Sequence, residues 1–589
     1  MKRVSVVLLA LLTLGATACR KPAPEPAAPA SQATAPSDQG DVSGSSQPEE
    51  PSGEILARIR FIGTKRLAGD TNAATLNRIG ALPETAALKE MILARLATAP
   101  GRASGLASNV TAEVAASIRP LLDDLVASEF FLEARANDGG APEWAVAIGL
   151  ESGRAGAWNA GLKKAVAQAG VGEAKAIETG DARGWAAPLK DGSGVLRFFA
   201  LEGWVVFGKG ALESSLQAEI ASRIANGGKP GPTDDETTLA FTVDFPRLVE
   251  EFKWTRWEGL PFVDIQSRIE KDNIRSTGSA VFPKDLGFEH EEWEIPTKTI
   301  HDPLISFTAV QGIASWLEKQ EFYQGVSLEK TPNQFFSWAM NGPFYLSFAA
   351  APAAGSTNQV ASLAKRLETL SREQLAQRGM GFITNVAHTA TIHWVNAFPI
   401  VRPFLSVSEE PDDDFVQLGL LPVRRGSFTN PPPAGLIRFV EERENLVYYD
   451  WEITQARLDQ LKSIFQLFTL LSDKPKMSAT LPSDKWVTAI SKSLGNTATE
   501  ITRETARELK LVRKSHLGLS AFEIMTLAYW IGDEDFPLSR ARLPFLPLRK
   551  DAGMPMPGAP QAPPAPKAQP AAPKPAANTD SQTKTRGPI

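Results

Sequence analysis

Apolar and polar residues follow three different regimes along this chain. Residues 20 to 53 hold almost no large apolar side chain, and neither do residues 549 to 589. Between them, short runs of alternating and aromatic-rich apolar residues predict strands, and apolar residues at three- and four-residue steps predict helices. Residues 194–208 read as a β-hairpin turning at Leu201-Glu202-Gly203, and Leu212, Leu216, Ile220 and Ile224 then line a helix. The same grammar returns at 435–449: Gly-Leu-Ile-Arg-Phe as a strand, a polar turn at Glu442–Asn445, and Leu446–Tyr449 as its partner. A helix follows from Thr454, with Leu458, Leu461, Phe465 and Phe468 on one face.

Further echoes suggest a repeat. Leu239–Val243 precedes a helix through Leu248 and Phe252, and Ile305–Ala309 precedes one through Ile313, Trp316 and Leu317. Glu129–Glu133 resembles Pro343–Ser347. Two helical regions are expected to flank the strands: Asn72 to Asp124, broken near Pro100-Gly101, and Ser483 to Trp530, with Leu517, Phe522, Met525 and Leu527 on its apolar face. Hairpins feeding helices, without sustained βαβ alternation, predict an α+β fold of antiparallel sheets with packed helices. The predicted organisation is a leader at 1–18, a tether at 19–53, related halves at 54–300 and 301–548, and a tail at 549–589.

The leader carries the clearest signal. Met1-Lys2-Arg3 precedes an apolar run from Val4 to Ala18, shorter than the roughly 20 residues that span a bilayer. The run ends in Ala16-Thr17-Ala18-Cys19, which resembles the lipobox of bacterial lipoproteins, with Ala16 where leucine is commonest. The resemblance covers only this leader. It implies removal of residues 1–18, acylation of Cys19, and a protein held at the cell envelope by its lipid. Arg20 stands where an aspartate retains some lipoproteins in the inner membrane, so the resemblance favours the outer membrane. Several acyl chains, each methylene contributing about 0.8 kcal/mol, anchor a protein without a transmembrane helix.

Composition narrows the chemistry. Cys19 is the single cysteine, so the remainder has no disulfide, thiolate metal site or thiol nucleophile. Stability must come from an apolar core, and all 13 tryptophans fall between the polar ends. A formal net charge of −5 offers no electrostatic basis for binding nucleic acid. The Pro/Ala-rich ends cannot bury a core and are expected to be disordered.

Several motifs match catalytic signatures only in part. Gly203–Lys209 fits the start of a phosphate-binding loop, but Gly210 replaces the Ser or Thr that holds magnesium, and its spacer is β-prone. The histidines (His290, His301, His388, His393, His516) have no chelating spacing, and His290-Glu291-Glu292-Trp293-Glu294 reads as an exposed edge strand. Asp412-Asp413-Asp414 lacks the calcium-loop pattern. Ser327-Leu328-Glu329-Lys330 lacks the partner motif of penicillin-recognising enzymes. Trp185, Trp204, Trp293 and Trp394 are assigned to the core, whereas Trp254 and Trp257, among charged neighbours, are expected at the surface. Cys19 is thus the one assigned site residue, with no catalytic, metal or cofactor-binding residue and no cofactor expected.

The resulting expectation is a non-catalytic, lipid-anchored envelope protein that binds a protein, glycan or lipid component. Its alternatives are an envelope-polymer hydrolase or transferase, and a lipid carrier.

Overall fold

The computed structural model describes residues 55–539, apart from internal stretches of which the longest are 137–141, 253–258, 324–327, 354–361, 366–380, 386–390, 397–400, 408–414, 423–429 and 471–480. Cys19, both predicted polar ends, His388, Ser327, Glu329, Trp254, Trp257 and Asp412–Asp414 lie outside the described residues.

Among the described residues, ten strands precede residue 300: β1 (Ile55–Phe61), β2 (Phe130–Arg135), β3 (Glu143–Gly149), β4 (Lys175–Thr179), β5 (Ala182–Pro188), β6 (Val195–Leu201), β7 (Trp204–Gly210), β8 (Leu239–Asp244), β9 (Phe262–Glu270) and β10 (Asn273–Val281). Ten more follow it: β11 (Leu304–Gln311), β12 (Gln334–Met340), β13 (Ser347–Pro352), β14 (Phe382–Asn385), β15 (Thr391–Val395), β16 (Phe404–Val407), β17 (Phe415–Gly419), β18 (Leu446–Ile453), β19 (Asn496–Arg503) and β20 (Glu508–Ser515). Helices α1 (Thr64–Ala68), α2 (Ala74–Gly80), α3 (Pro83–Ala103) and α4 (Ser108–Ala127) connect β1 to β2. After β3 comes α5 (Arg154–Gln168), after β7 α6 (Leu216–Ala225), and after β8 α7 (Phe245–Phe252). Beyond residue 300, α8 (Ala314–Leu317) follows β11 and α9 (Ala434–Glu441) follows β17. Between β18 and β19 lie α10 (Thr454–Leu470) and α11 (Pro482–Ser491), and α12 (Ala521–Gly532) follows β20.

All the strands join one antiparallel sheet. Read across it, the order is 4-5-6-7-3-2-1-8-9-10 and then 20-19-18-11-12-13-17-16-15-14. Counted from the start of each set of ten, the second order is the first in reverse. The two sets therefore share one topology and meet through the β10–β20 ladder.

The registers convert this match into residue equivalences. β8 and β18 each run directly into a helix, so Asp244 and Ile453 correspond, and they face Phe262 and Asn496. Continuing along β9 and β19 makes Gln266 and Glu500 equivalent, and these face Thr277 and Val512. Thr277 and Val512 face each other across the β10–β20 ladder, so a pseudo-two-fold axis of the strand register passes between them. Gly63 and Gly312 also correspond, each just beyond its strand at φ 86° and 81°, in the left-handed region that favours glycine. A side chain at Gly63 would lie 2.4 Å from the Ser128 carbonyl carbon.

The core follows from strand alternation. Phe198 and Phe199 point to opposite faces of β6. Phe198, Trp185 and Val205 meet Trp158 and Leu162 of α5, while Phe199, Val206 and Phe131 meet Leu216 and Ile220 of α6. In the second set, Phe307, Phe336 and Trp338 pack with Val440 of α9. Each large side chain so buried contributes roughly 1.5–3 kcal/mol. The long helical insertion between β1 and β2 meets the second set's own insertion: Leu88 of α3 shares a core with Phe465 of α10, Trp486 of α11 and Ile524 of α12. Arg95 of α3 donates to the carbonyls of Ile531 and Asp533 at the end of α12.

Several sequence expectations are corrected. Residues 435–439 form part of α9, not a strand; Ile437 and Val440 supply its buried side, and a five-residue apolar run does not distinguish the two structures. The helical region from Ser483 to Trp530 is interrupted by the β19–β20 hairpin at the middle of the sheet. Pro100 and Gly101 lie inside α3, and the helical break falls between Ala103 and Ser108. Residues 290–296 form a loop tied to the Gln311 and Gln334 side chains rather than an edge strand. The Glu129–Glu133 echo belongs elsewhere: the registers make Phe130-Phe131 equivalent to Phe335-Phe336, not to Pro343–Ser347.

Candidate functional site

On β18 the side chains of Tyr449 and Trp451 join the apolar core, which directs Tyr448, Asp450 and Glu452 to the other face. There Asp450 sits between Thr308 of β11 and Thr499 of β19, and its Oδ1 accepts from the Thr308 hydroxyl at 2.7 Å. Glu452 accepts the N–H of Ala521, the first residue of α12, at 2.6 Å and the Thr454 hydroxyl at 3.1 Å. Arg457, in the first turn of α10, closes one side. Its Nη1 lies 3.3 Å from Gln460 Oε1 and 3.5 Å from Ser347 Oγ. Opposite, Arg513 donates to Thr499 at 2.9 Å and forms a bidentate pair with Glu523 at 2.7 and 3.0 Å.

Protein surrounds Tyr448, Asp450 and Arg457 on nearly all sides, yet each keeps partial solvent contact. These half-buried side chains and the buried Glu452 form one polar recess on this face of β18. Burial raises the Asp450 carboxyl above the usual carboxylate range. Burial, then the Asp450 charge, pushes Glu452 up to about 7. Burial lowers the Arg457 guanidinium, opposed by Glu452 and Asp450. Burial, then Asp450, raises Tyr448. Among the described residues, neither Asp450 nor Glu452 forms an ion pair with Arg457 within 4.0 Å, and the Tyr448 hydroxyl has no hydrogen-bond partner.

The same positions in the first set of strands are a hydrophobic core. Asp450 corresponds to Phe241, Glu452 to Val243 and Arg457 to Leu248, the fourth residue of its helix. Thr308 corresponds to Ile59, Ser337 to Leu132 and Ser347 to Trp144. The first-set residues form one apolar cluster. The fold thus accommodates apolar side chains at every one of these positions. A buried ionic group is often no more stabilising than an apolar one of similar size, by a margin of about 1–4 kcal/mol in favour of the apolar residue.

Another buried charge network serves as a contrast. Arg135 donates to Glu133 at 2.5 Å and to Glu219 at 2.6 and 3.1 Å, and Arg58 completes Glu133 at 2.9 Å. Its charges meet at contact distance, as a structural tie requires. An open cleft of about 590 Å³ beside β9 is lined by Arg66, Asp70, Glu236, Arg268 and Glu270. Arg268 there pairs with Asp234 and Glu236 on the exposed surface, which is a solvated charge pattern.

The motif residues scatter. Gly203 makes the β6–β7 turn at φ 71°, and Trp204–Gly210 is strand, so no phosphate loop forms. His393 is buried in β15, and His516 Nδ1 accepts the Gly495 N–H at 3.3 Å. Trp185 is fully buried, while Trp204 and Trp293 pack against core clusters. Among the described residues there is no cluster of three or more His, Cys, Asp or Glu able to hold a metal, and no helix long and apolar enough to cross a membrane. Sequence reading missed Asp450, Glu452 and Arg457. The available signal was a strand carrying carboxylates at alternate positions just before a helix with arginine in its first turn. Comparison with protein-family models, curated proteins and solved structures returns no match.

Proposed function

We propose that this is a non-catalytic binding protein of the cell envelope, anchored through acylated Cys19, whose recognition site is the Asp450–Arg457 recess. The anchor is supported by the lipobox-like Ala16–Cys19, and the outer membrane by Arg20. The observation that carries the binding reading is the contrast between related positions: apolar core in one set of strands, unpaired charges with solvent access in the other. Such an arrangement spends stability without closing a structural network, which is the pattern of a site completed by something else.

A photo-cross-linking side chain placed at Ser337, in the intact envelope, tests this against the same group at Leu132. A discrete adduct at Ser337 alone is expected. Equal labelling at both positions, or at neither, defeats the reading. For the anchor, Cys19→Ser should release the protein from membranes, and undiminished membrane retention would count against acylation. The hydrolase alternative rests on Glu452 holding a proton near neutrality beside a second carboxyl. Turnover of an envelope polymer that is lost in Glu452→Gln would establish it instead.

A further inference from the structure

We propose that the recess binds a small amino-carboxylate zwitterion, its carboxylate held by Arg457 and its ammonium by Asp450; this rests on the recess being the binding site.

Arg457 and Asp450 both hold unused hydrogen-bonding capacity. Arg457 commits only Nη1, to two neutral oxygens at 3.3 and 3.5 Å, the long end of the hydrogen-bond range. Its Nε and Nη2 have no hydrogen-bond partner among the described residues. Asp450 uses one oxygen, Oδ1, for Thr308. The two opposite charges influence each other, yet they stand apart instead of pairing. A guanidinium so surrounded would be costly unless something supplies an anion, and the same holds for the carboxylate and a cation.

The neighbouring charges are already spoken for. Arg513 is satisfied by Glu523, Thr499 and the Gly518 carbonyl, so it does not compete for a ligand carboxylate. Glu452 is held by the Ala521 N–H and the Thr454 hydroxyl, on the deeper side of β18. Tyr448 adds a free hydroxyl two residues from Asp450 on the same face. A monocarboxylate would leave Asp450 unpaired, and a simple amine would leave Arg457 unpaired. A neutral polyol could reach both, but it would bring no opposite charge to compensate either buried group. One molecule carrying both charges satisfies both residues.

The test is equilibrium dialysis of the full mature protein, purified in detergent, against L-amino acids and dipeptides at pH 7.5. Acetate, methylammonium and glucose serve as comparison solutes. Saturable binding of at least one zwitterion is expected, weakened tenfold or more in Asp450→Asn and in Arg457→Leu. The cleft variant Glu236→Gln should bind as the wild type does. Because a charge deletion in the recess could also alter folding, Thr308→Val, which keeps both charges, should weaken binding by a smaller factor while circular dichroism stays unchanged. Acetate, methylammonium or glucose binding as tightly as any zwitterion overturns the zwitterion assignment but leaves the recess as a site. No binding of any zwitterion also overturns it, and if the Ser337 cross-linker then yields no adduct, the binding reading fails with it.

Discussion

Replacing Glu452 with glutamine isolates the cost of burying one carboxylate. The folded protein raises this carboxyl from 4.5 to about 7, mainly through burial and secondarily through Asp450. Below pH 4.5 the group is protonated whether the chain is folded or not, so it contributes no pH-dependent penalty. Between 4.5 and about 7 the unfolded chain ionises first, and stability falls as pH rises; above 7 the full penalty is present. At about 1.4 kcal/mol per pH unit the penalty reaches roughly 3 kcal/mol. Glutamine does not titrate, and its carbonyl can still accept the Ala521 N–H and the Thr454 hydroxyl. The variant should therefore gain on the wild type by up to about 3 kcal/mol between pH 4.5 and pH 8, with Asp450, Arg457 and Tyr448 unchanged around it. Urea unfolding followed by tryptophan fluorescence at pH 5, 6, 7 and 8 measures the difference, and amide exchange at the start of α12 reads it locally. A difference that is flat across this range would falsify the assignment of a buried, proton-holding Glu452.

Other expectations probe the frame around the recess. Gly63→Ala forces a side chain onto the Ser128 backbone at φ 86°, so a loss of about 1–3 kcal/mol is expected, whereas Gly435→Ala, with open space around it in α9, should gain up to about 1 kcal/mol; comparable unfolding midpoints for the two would contradict this. Ser520 and Glu523 form a capping box at α12, and Ser520→Ala should cost about 1 kcal/mol and accelerate exchange in the first turn of that helix before the rest. Phe198→Ala removes a fully buried ring stacked on Trp185 at 5.9 Å and should cost about 3–5 kcal/mol in a denaturant titration; a loss below 1 kcal/mol would mean that this core is not closely packed.

Much of the local structure was legible in the residues. The β6–β7 hairpin announced itself through an apolar run broken at Glu202-Gly203, and β8 and β11 through aromatic alternation ending in helical spacing. The antiparallel α+β class follows from such elements because their periodicity is set by neighbours a few residues away. The β19–β20 hairpin was read as helix because its alternating threonines and charges carry little apolar signal; it becomes strand by pairing with β18 and β10.

The strand order could not be read this way. β1 lies between β2 and β8, and β8 is far along the chain, so nothing local encodes the pairing. The matching runs in the sequence pair other elements than those the registers make equivalent, because positions such as Phe241 and Asp450 share a register and no chemistry. By itself the sequence determined the periodic elements and the absence of any cysteine beyond Cys19. Only the tertiary structure decided which charges meet. Asp450 and Arg457 sit on a strand and the helix after it, and whether they pair, or face a gap, depends on how β11, β18 and α10 pack together.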